Sequence, residues 1–172
     1  MIESDRIRIV IIGGASVGKT AIVQKFLNDI FQKEYKMTMA GEIHLKNVKF
    51  EGEDLDLIIN DTPGEIRFKV ARDCAYPGAR GALLIFDLTR LPTFNPTVRE
   101  RLKELWVGAK EKIPVVIIGN KNDLINFRSI RKNEIEEFCK QIPCPYIEIS
   151  AKTGEGVQEA FKLLLNEIKH SK

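Results

Sequence analysis

The chain has 172 residues, 44% of them hydrophobic and 30% charged, with a formal net charge of +3. That length suits one domain with a real core, and the composition is that of an ordinary globular protein. A balance this mild, with no basic face interleaved with aromatics, argues against nucleic acid as a partner.

Residues 6–12 alternate and then turn fully apolar, which suits a buried strand of a parallel sheet. A helix is predicted over 19–28, with Ile22, Val23, Phe26, Leu27 and Ile30 at helical spacing. Residues 29–41 hold no period and read as loop. Residues 42–50 and 54–60 flank Glu51-Gly52-Glu53 and read as an antiparallel hairpin with a three-residue turn. The pattern breaks again over 61–74, at Pro63 and Gly64. A buried strand over 81–86 leads to a helix from about Asn95, with Asn95 as its cap and Pro96 in the first helical position. The stripe Val98, Leu102, Leu105 and Ala109 marks its buried face. A strand over 113–119, a helix over 132–141 burying Ile135, Phe138, Cys139 and Ile142, and a strand over 145–149 come next. The last helix places Val157, Ala160, Phe161, Leu164, Leu165 and Ile168 on one face. This alternation predicts a single α/β domain over 1–172. Its sheet would have six strands, mostly parallel with one antiparallel edge strand, and helices on both faces.

The chemistry clusters where strands end, the place where open α/β sheets bind ligands. Gly13-Gly14-Ala15-Ser16-Val17-Gly18-Lys19-Thr20 sits between the first strand and the first helix, the context in which G-x-x-x-x-G-K-[ST] forms a phosphate-binding loop. Glycines there allow backbone N–H groups to converge on phosphate oxygens, and the positive end of the helix dipole adds to the attraction. Lys19 brings a full charge and Thr20 a hydroxyl for Mg²⁺. Asp61-Thr62-Pro63-Gly64 follows the third strand, where a carboxylate can support Mg²⁺ through water and the Gly64 N–H can approach a terminal phosphate. A plain Pro-Gly turn is the structural alternative. Asn120-Lys121-Asn122-Asp123 follows the fifth strand. An aspartate accepts two parallel hydrogen bonds, which guanine's ring N–H and amino group supply and adenine's edge does not. Ser150-Ala151-Lys152 follows the last strand, where a backbone N–H can reach the guanine carbonyl. Thr38 offers a second hydroxyl for Mg²⁺ from the first long loop, and Phe31 can stack on the base.

Taken together and in this order, these pieces resemble the Ras-superfamily small GTPases over nearly the whole chain. The Rab branch is the most similar, through Thr38-Met39-Ala40-Gly41-Glu42-Ile43, Tyr76-Pro77-Gly78-Ala79-Arg80-Gly81, Phe86-Asp87-Leu88-Thr89 and Thr93-Phe94-Asn95. The resemblance implies a P-loop GTPase domain that acts as a molecular switch, in which GTP and Mg²⁺ order the loops around Thr38 and Gly64 and hydrolysis to GDP releases them. It assigns Lys19 and the backbone of Ala15, Ser16, Val17, Gly18, Thr20 and Ala21 to the phosphates, and Thr20, Thr38 and Asp61 to the metal. It assigns Asn120, Lys121, Asp123, Ser150, Ala151 and Lys152 to guanine, with Phe31 and Tyr35 flanking the nucleotide. Lys19, Thr38, Gly64 and Glu65 are the candidate catalytic residues. Protein effectors and regulators are expected at 35–45 and 65–76, with Met37, Met39, Ile66 and Phe68 as apolar contacts.

Three positions depart from the family pattern. Glu65 stands where glutamine usually orients the attacking water. Its carboxylate can accept a proton but repels the terminal phosphate and lacks an amide N–H, so slow, non-zero hydrolysis is expected. Pro63 stands where alanine is common and should stiffen the second switch. Ala15 occupies a position where Ras has a glycine that admits a partner's arginine. Arg67 is the nearest arginine in sequence to the site, and solvation is its default role.

The three cysteines, Cys74, Cys139 and Cys144, form no C-x-x-C pair and fit reduced thiols in the cytoplasm. No apolar run approaches the ~20 residues a bilayer span needs. With no terminal cysteine for a lipid, a monomer without a stable membrane anchor is expected. A GTP-hydrolysing switch therefore competes with two alternatives. One is a nucleotide-locked interaction module with negligible turnover, suggested by Glu65 and Pro63. The other is an unrelated P-loop ATPase or kinase, against which Asp123 argues.

Overall fold

A computed structural model of the protein describes residues 6–28 and 41–171. The chain runs β1 (Arg6–Gly13), α1 (Lys19–Asn28), β2 (Glu42–Phe50), β3 (Glu53–Asp61), α2 (Lys69–Asp73) and β4 (Gly81–Asp87). It continues through α3 (Thr97–Ala109), β5 (Val115–Asn120), α4 (Lys132–Gln141), β6 (Tyr146–Glu148) and α5 (Val157–His170). All six strands join one sheet in the order β2-β3-β1-β4-β5-β6. β2 pairs antiparallel with β3, and the other pairs are parallel. The α/β architecture with one antiparallel edge strand is the one the sequence predicts.

Side chains alternate across the sheet, and each set meets its own helices. Ile9, Ile11, Leu57, Ile59, Leu83, Ile85, Val116 and Ile118 share a core with residues of α1 and α5. Val10, Ile12, Ala82, Leu84, Phe86, Val115 and Ile117 share the opposite core with α3 and α4. β4 and β5 are buried at every position, which is why they read as unbroken apolar runs. Phe26 of α1 stacks on Phe161 of α5 with ring centroids 3.6 Å apart. Burying a ring of this kind contributes about 1.5–3 kcal/mol, and this one fixes the helix that carries Lys19 and Thr20.

Four local expectations are corrected. The β2–β3 turn has two residues, with Phe50 paired to Glu53. Glu51 and Gly52 both take positive φ, 50° and 85°, the backbone that matches the twist of a two-residue hairpin. Asn95 does not cap α3. Its N–H and that of Phe94 both bond to Leu91 O at 3.0 and 2.9 Å, so Asn95 closes a 3₁₀ turn over Leu91–Thr93 and the helix starts at Thr97. The 61–74 segment, patternless in sequence, forms a 3₁₀ turn over Ile66–Phe68 followed by α2. The last two strands are also shorter than expected, beginning at Val115 and Tyr146.

Candidate nucleotide site

The connection leaving β1 leads to β2 on one side of the sheet and that leaving β4 leads to β5 on the other, so the two diverge and open a crevice at the carboxyl ends of β1 and β4. The 13–20 loop fills the rim of that crevice. Gly18 has φ 99°, and a Cβ there would fall 2.2 Å from Asn120 Nδ2, so only glycine fits. Lys19, 7% exposed, folds back and donates from Nζ to Gly14 O at 2.6 Å. Burial pulls its pKa down to about 8, with Asp61 opposing that fall and Arg101, Arg72 and Arg90 adding to it. Gly64 packs directly on this loop. A Cβ on it would lie 2.3 Å from Gly14 O and 2.5 Å from Lys19 Nζ, so the two segments the sequence assigns to the terminal phosphate meet in space.

Thr20, in the first turn of α1, donates from Oγ1 to Asp61 Oδ2 at 2.5 Å. Asp61 ends β3, is 1% exposed, and leaves Oδ1 buried with no hydrogen-bond partner among the described residues. Burial pushes this carboxyl up from its ordinary range, against the Thr20 hydrogen bond and the Lys19 charge. A buried acceptor lacking a donor, beside a hydroxyl, fits a hard cation. Among the described residues no three His, Cys, Asp or Glu side chains gather as metal ligands. One hydroxyl and one carboxylate form a donor set of the kind Mg²⁺ takes, since that ion keeps several waters and shares its ligands with phosphate.

At the other end of the crevice, Asn120 joins two loops. Its Nδ2 donates to Val17 O at 2.9 Å and its Oδ1 accepts from Ala151 N–H at 3.0 Å. Lys121 takes φ 69°, reaching Ser16 O at 3.4 Å and Asp87 Oδ2 at 2.6 Å. Ser150 Oγ donates to Asp123 Oδ1 at 2.7 Å and accepts from Thr153 N–H at 3.1 Å, which orients the Asp123 carboxylate. Ala151 is buried and Lys152 exposed. Asn120, Lys121, Asp123, Ser150 and Ala151 are thus brought together with the 13–20 loop. Phe31, Tyr35 and Thr38, with Met37 and Met39, lie outside the described residues.

The start of the second switch is tied from below by groups that no motif announces. Arg72, 1% exposed, donates to Pro63 O at 3.3 Å and Glu65 O at 2.6 Å, while Arg101 donates to Gly64 O at 3.0 Å. Glu104 holds both arginines, Arg72 at 2.7 and 3.2 Å and Arg101 at 3.2 Å, and accepts Tyr76 OH at 2.5 Å. The arginine and tyrosine bonds keep the Glu104 carboxyl below its ordinary range, outweighing the burial that alone would raise it. The sequence did carry a signal. Arg101 falls between Val98 and Leu102 on the α3 stripe, where an apolar residue is expected. Asp87 is also absent from the predicted set, although it too ends a strand. It is fully buried and accepts from Thr89 and Lys121. The Glu65 side chain pairs with Arg67 Nε at 2.8 Å.

The family model of the Ras family matches residues 8–170. The chain belongs to the Ras family. Its relatives include the Ras-related protein YPTC6 of Chlamydomonas reinhardtii, 34% identical over 163 residues, 95% of this chain and 75% of that protein. The GTP-binding protein ypt3 of Schizosaccharomyces pombe is 33% identical across 92% of this chain and 74% of its own. Ras-related protein Rab-11A of Dictyostelium discoideum is 32% identical across 95% and 76%. This family member is accordingly a small GTPase of the Rab branch, binding guanine nucleotide and acting as a regulatory switch. The ATPase reading falls with the family, and the nucleotide-locked reading finds no support among these relatives.

Proposed function

We propose that residues 1–172 form one small-GTPase domain in which this crevice binds GTP or GDP with Mg²⁺ and converts GTP slowly to GDP and phosphate. The observation that carries the reading is the Asn120 side chain. Through Val17 O and Ala151 N–H it locks the phosphate loop to the base loop, so a nucleotide spanning both meets a preorganised site. Lys19 and the N–H groups of Ala15, Ser16, Val17, Gly18, Thr20 and Ala21 hold the phosphates. Thr20 and Thr38 ligate Mg²⁺ and Asp61 supports it. When bound, the ion neutralises charge on the outer phosphates. Asp123, oriented by Ser150, reads the guanine N–H pair; Asn120, Lys121, Ala151 and Lys152 frame the base, with Phe31 and Tyr35 beside the nucleotide. Gly64 presents its N–H to the terminal phosphate, and Glu65 faces the attacking water.

Partners engage the two segments that sense the nucleotide, 35–45 and 65–76. Ile43 is 72% exposed, Leu45 76%, Ile66 82% and Val70 76%, an apolar surface of the kind that marks protein interaction sites. The domain acts as a monomer. The described cysteines are all free thiols, which suits the cytoplasm. No helix among the described residues is long and apolar enough to cross a membrane.

Titrating wild type and Asp123→Ala with fluorescent GDP and ADP, with and without Mg²⁺, tests the site. Tight, Mg²⁺-dependent GDP binding that the substitution weakens about 10²-fold or more is expected, since guanine's donors are left unpaired. Equal binding of ADP and GDP by the wild type would overturn it.

A further inference from the structure

Two cations sit on successive carbonyls of the phosphate loop. Lys19 Nζ holds Gly14 O at 2.6 Å, and Arg90 Nη2 holds Ala15 O, also at 2.6 Å. The lysine belongs to the motif; the arginine comes from elsewhere in the chain. It lies three residues beyond β4, between Asp87 and the 3₁₀ turn over Leu91–Thr93.

The fold aims this side chain. Arg90 Nε lies 3.2 Å from Asp87 Oδ2, a fully buried carboxylate that also holds Lys121 at 2.6 Å. One carboxylate therefore positions a cation toward the base end and another toward the phosphate end. The Arg90 N–H bonds to Asp87 O at 3.0 Å and its carbonyl accepts both Thr93 N–H and Thr93 Oγ1, which fixes the backbone from which the guanidinium reaches over. The side chain is nevertheless 43% exposed, so it is not locked into the core with the carboxylate that holds it. Its charge also reaches the motif lysine, where it contributes to the fall in the Lys19 pKa.

A carbonyl oxygen is a weak partner for a guanidinium compared with an anionic phosphate oxygen, and the planar fork of arginine matches phosphate geometry. We infer that Arg90 is a second phosphate-binding cation supplied in cis, which leaves Ala15 O to engage the outer phosphates of GTP and stabilise the charge that develops there during hydrolysis. Arg90 is set apart from Arg67, which pairs with Glu65 at 2.8 Å, by its bond to the phosphate-loop carbonyl of Ala15. The inference rests on the nucleotide site proposed above and adds to it an activator internal to the chain.

The test compares wild type, Arg90→Ala and Arg90→Lys in three measurements: affinity for GDP, affinity for a non-hydrolysable GTP analogue, and single-turnover GTP hydrolysis. For Arg90→Ala we expect GDP affinity within about threefold of wild type, analogue affinity at least about tenfold weaker, and hydrolysis at least about tenfold slower. Arginines that act on the transferred phosphate are worth far more than this where they are fully engaged. Arg90→Lys should recover part of the analogue affinity and little of the rate, because a lysine keeps the charge but loses the fork. Equal weakening of GDP and analogue, or an unchanged hydrolysis rate, would make Arg90 a strut for the loop and overturn the inference. Failure of the wild type itself to bind GDP would instead sink the site reading beneath it, so the two failures are separable.

Discussion

Asn120 Nδ2 occupies the space that a Cβ on Gly18 would need, 2.2 Å from it, and in the same pose donates to Val17 O. The glycine and the asparagine, 102 positions apart in sequence, are one fitted pair. Gly18→Ala should therefore displace the Asn120 amide and strain a backbone at φ 99°, costing about 1–3 kcal/mol from strain alone. Asn120→Ala leaves Val17 O and Ala151 N–H without their partner, at about 1–3 kcal/mol each. Both variants should bind fluorescent GDP about 10²-fold or more weakly. Near-wild-type affinity in either would mean that the two loops are not coupled through this side chain.

Glu104→Gln removes the charge that holds Arg72 and Arg101 beneath residues 63–65. Breaking a buried pair in this way costs about 3 kcal/mol or more. The melting temperature should fall, and amide exchange over 64–68 should rise more than in the sheet. Pro63→Ala is the milder companion, since it lifts the φ restraint while Arg72 and Arg101 keep their carbonyls. It should speed exchange at 64–66 with little change in melting temperature. Wild-type exchange rates in both variants would show that the second switch is not held by these groups.

Glu65 pairs with Arg67 at 2.8 Å, and the function proposed above sets its carboxylate beside the attacking water. Glu65→Gln removes the repulsion with the terminal phosphate and supplies an amide N–H. Intrinsic hydrolysis should rise by about tenfold, equivalent to about 1.4 kcal/mol of barrier. Single-turnover assays read this directly. An unchanged rate would remove Glu65 from the catalytic set.

Arg128 grips Glu148 through two hydrogen bonds of 2.8 and 2.6 Å, between the loop after the guanine motif and β6. The Arg128 bonds are the main reason that the Glu148 carboxyl titrates below its ordinary value of 4.5. Because the folded pKa is depressed, the stabilisation is fully present above 4.5 and is lost as pH falls through the folded value. Glu148→Gln should lower stability by about 1–2 kcal/mol at pH 7, between the exposed and buried limits for such pairs. The gap from wild type should narrow as pH falls below 4.5. Urea melts at several pH values measure it, and a gap independent of pH would rule out the ion pair as its source.

The alternation of strands and helices was readable because β4 and β5 are buried on both faces and α5 shows a full apolar stripe. The phosphate and guanine motifs were readable because each pairs a fixed spacing with a strand end. The supports around them were not. Arg72, Arg101 and Glu104 come from α2 and α3 and meet only through the tertiary fold. Arg90 reaches Ala15 across 75 positions of sequence. A proline after asparagine matches the usual helix-start pattern, whereas here a 3₁₀ turn over Leu91–Thr93 comes first and Pro96, not Asn95, precedes the first helical residue Thr97. The two-residue hairpin turn depends on positive φ at Glu51, which glutamate does not advertise.

All the groups gathered in this crevice serve one reaction, the Mg²⁺-dependent conversion of GTP to GDP. The most direct measurement identifies the nucleotide on the purified protein, exchanges it for GTP and follows GDP formation over hours with and without Mg²⁺. Bound GDP at the outset and a slow conversion that stops when Mg²⁺ is chelated are the predicted results. GTP that stays intact with Mg²⁺ present, or a retained adenine nucleotide, would contradict the account.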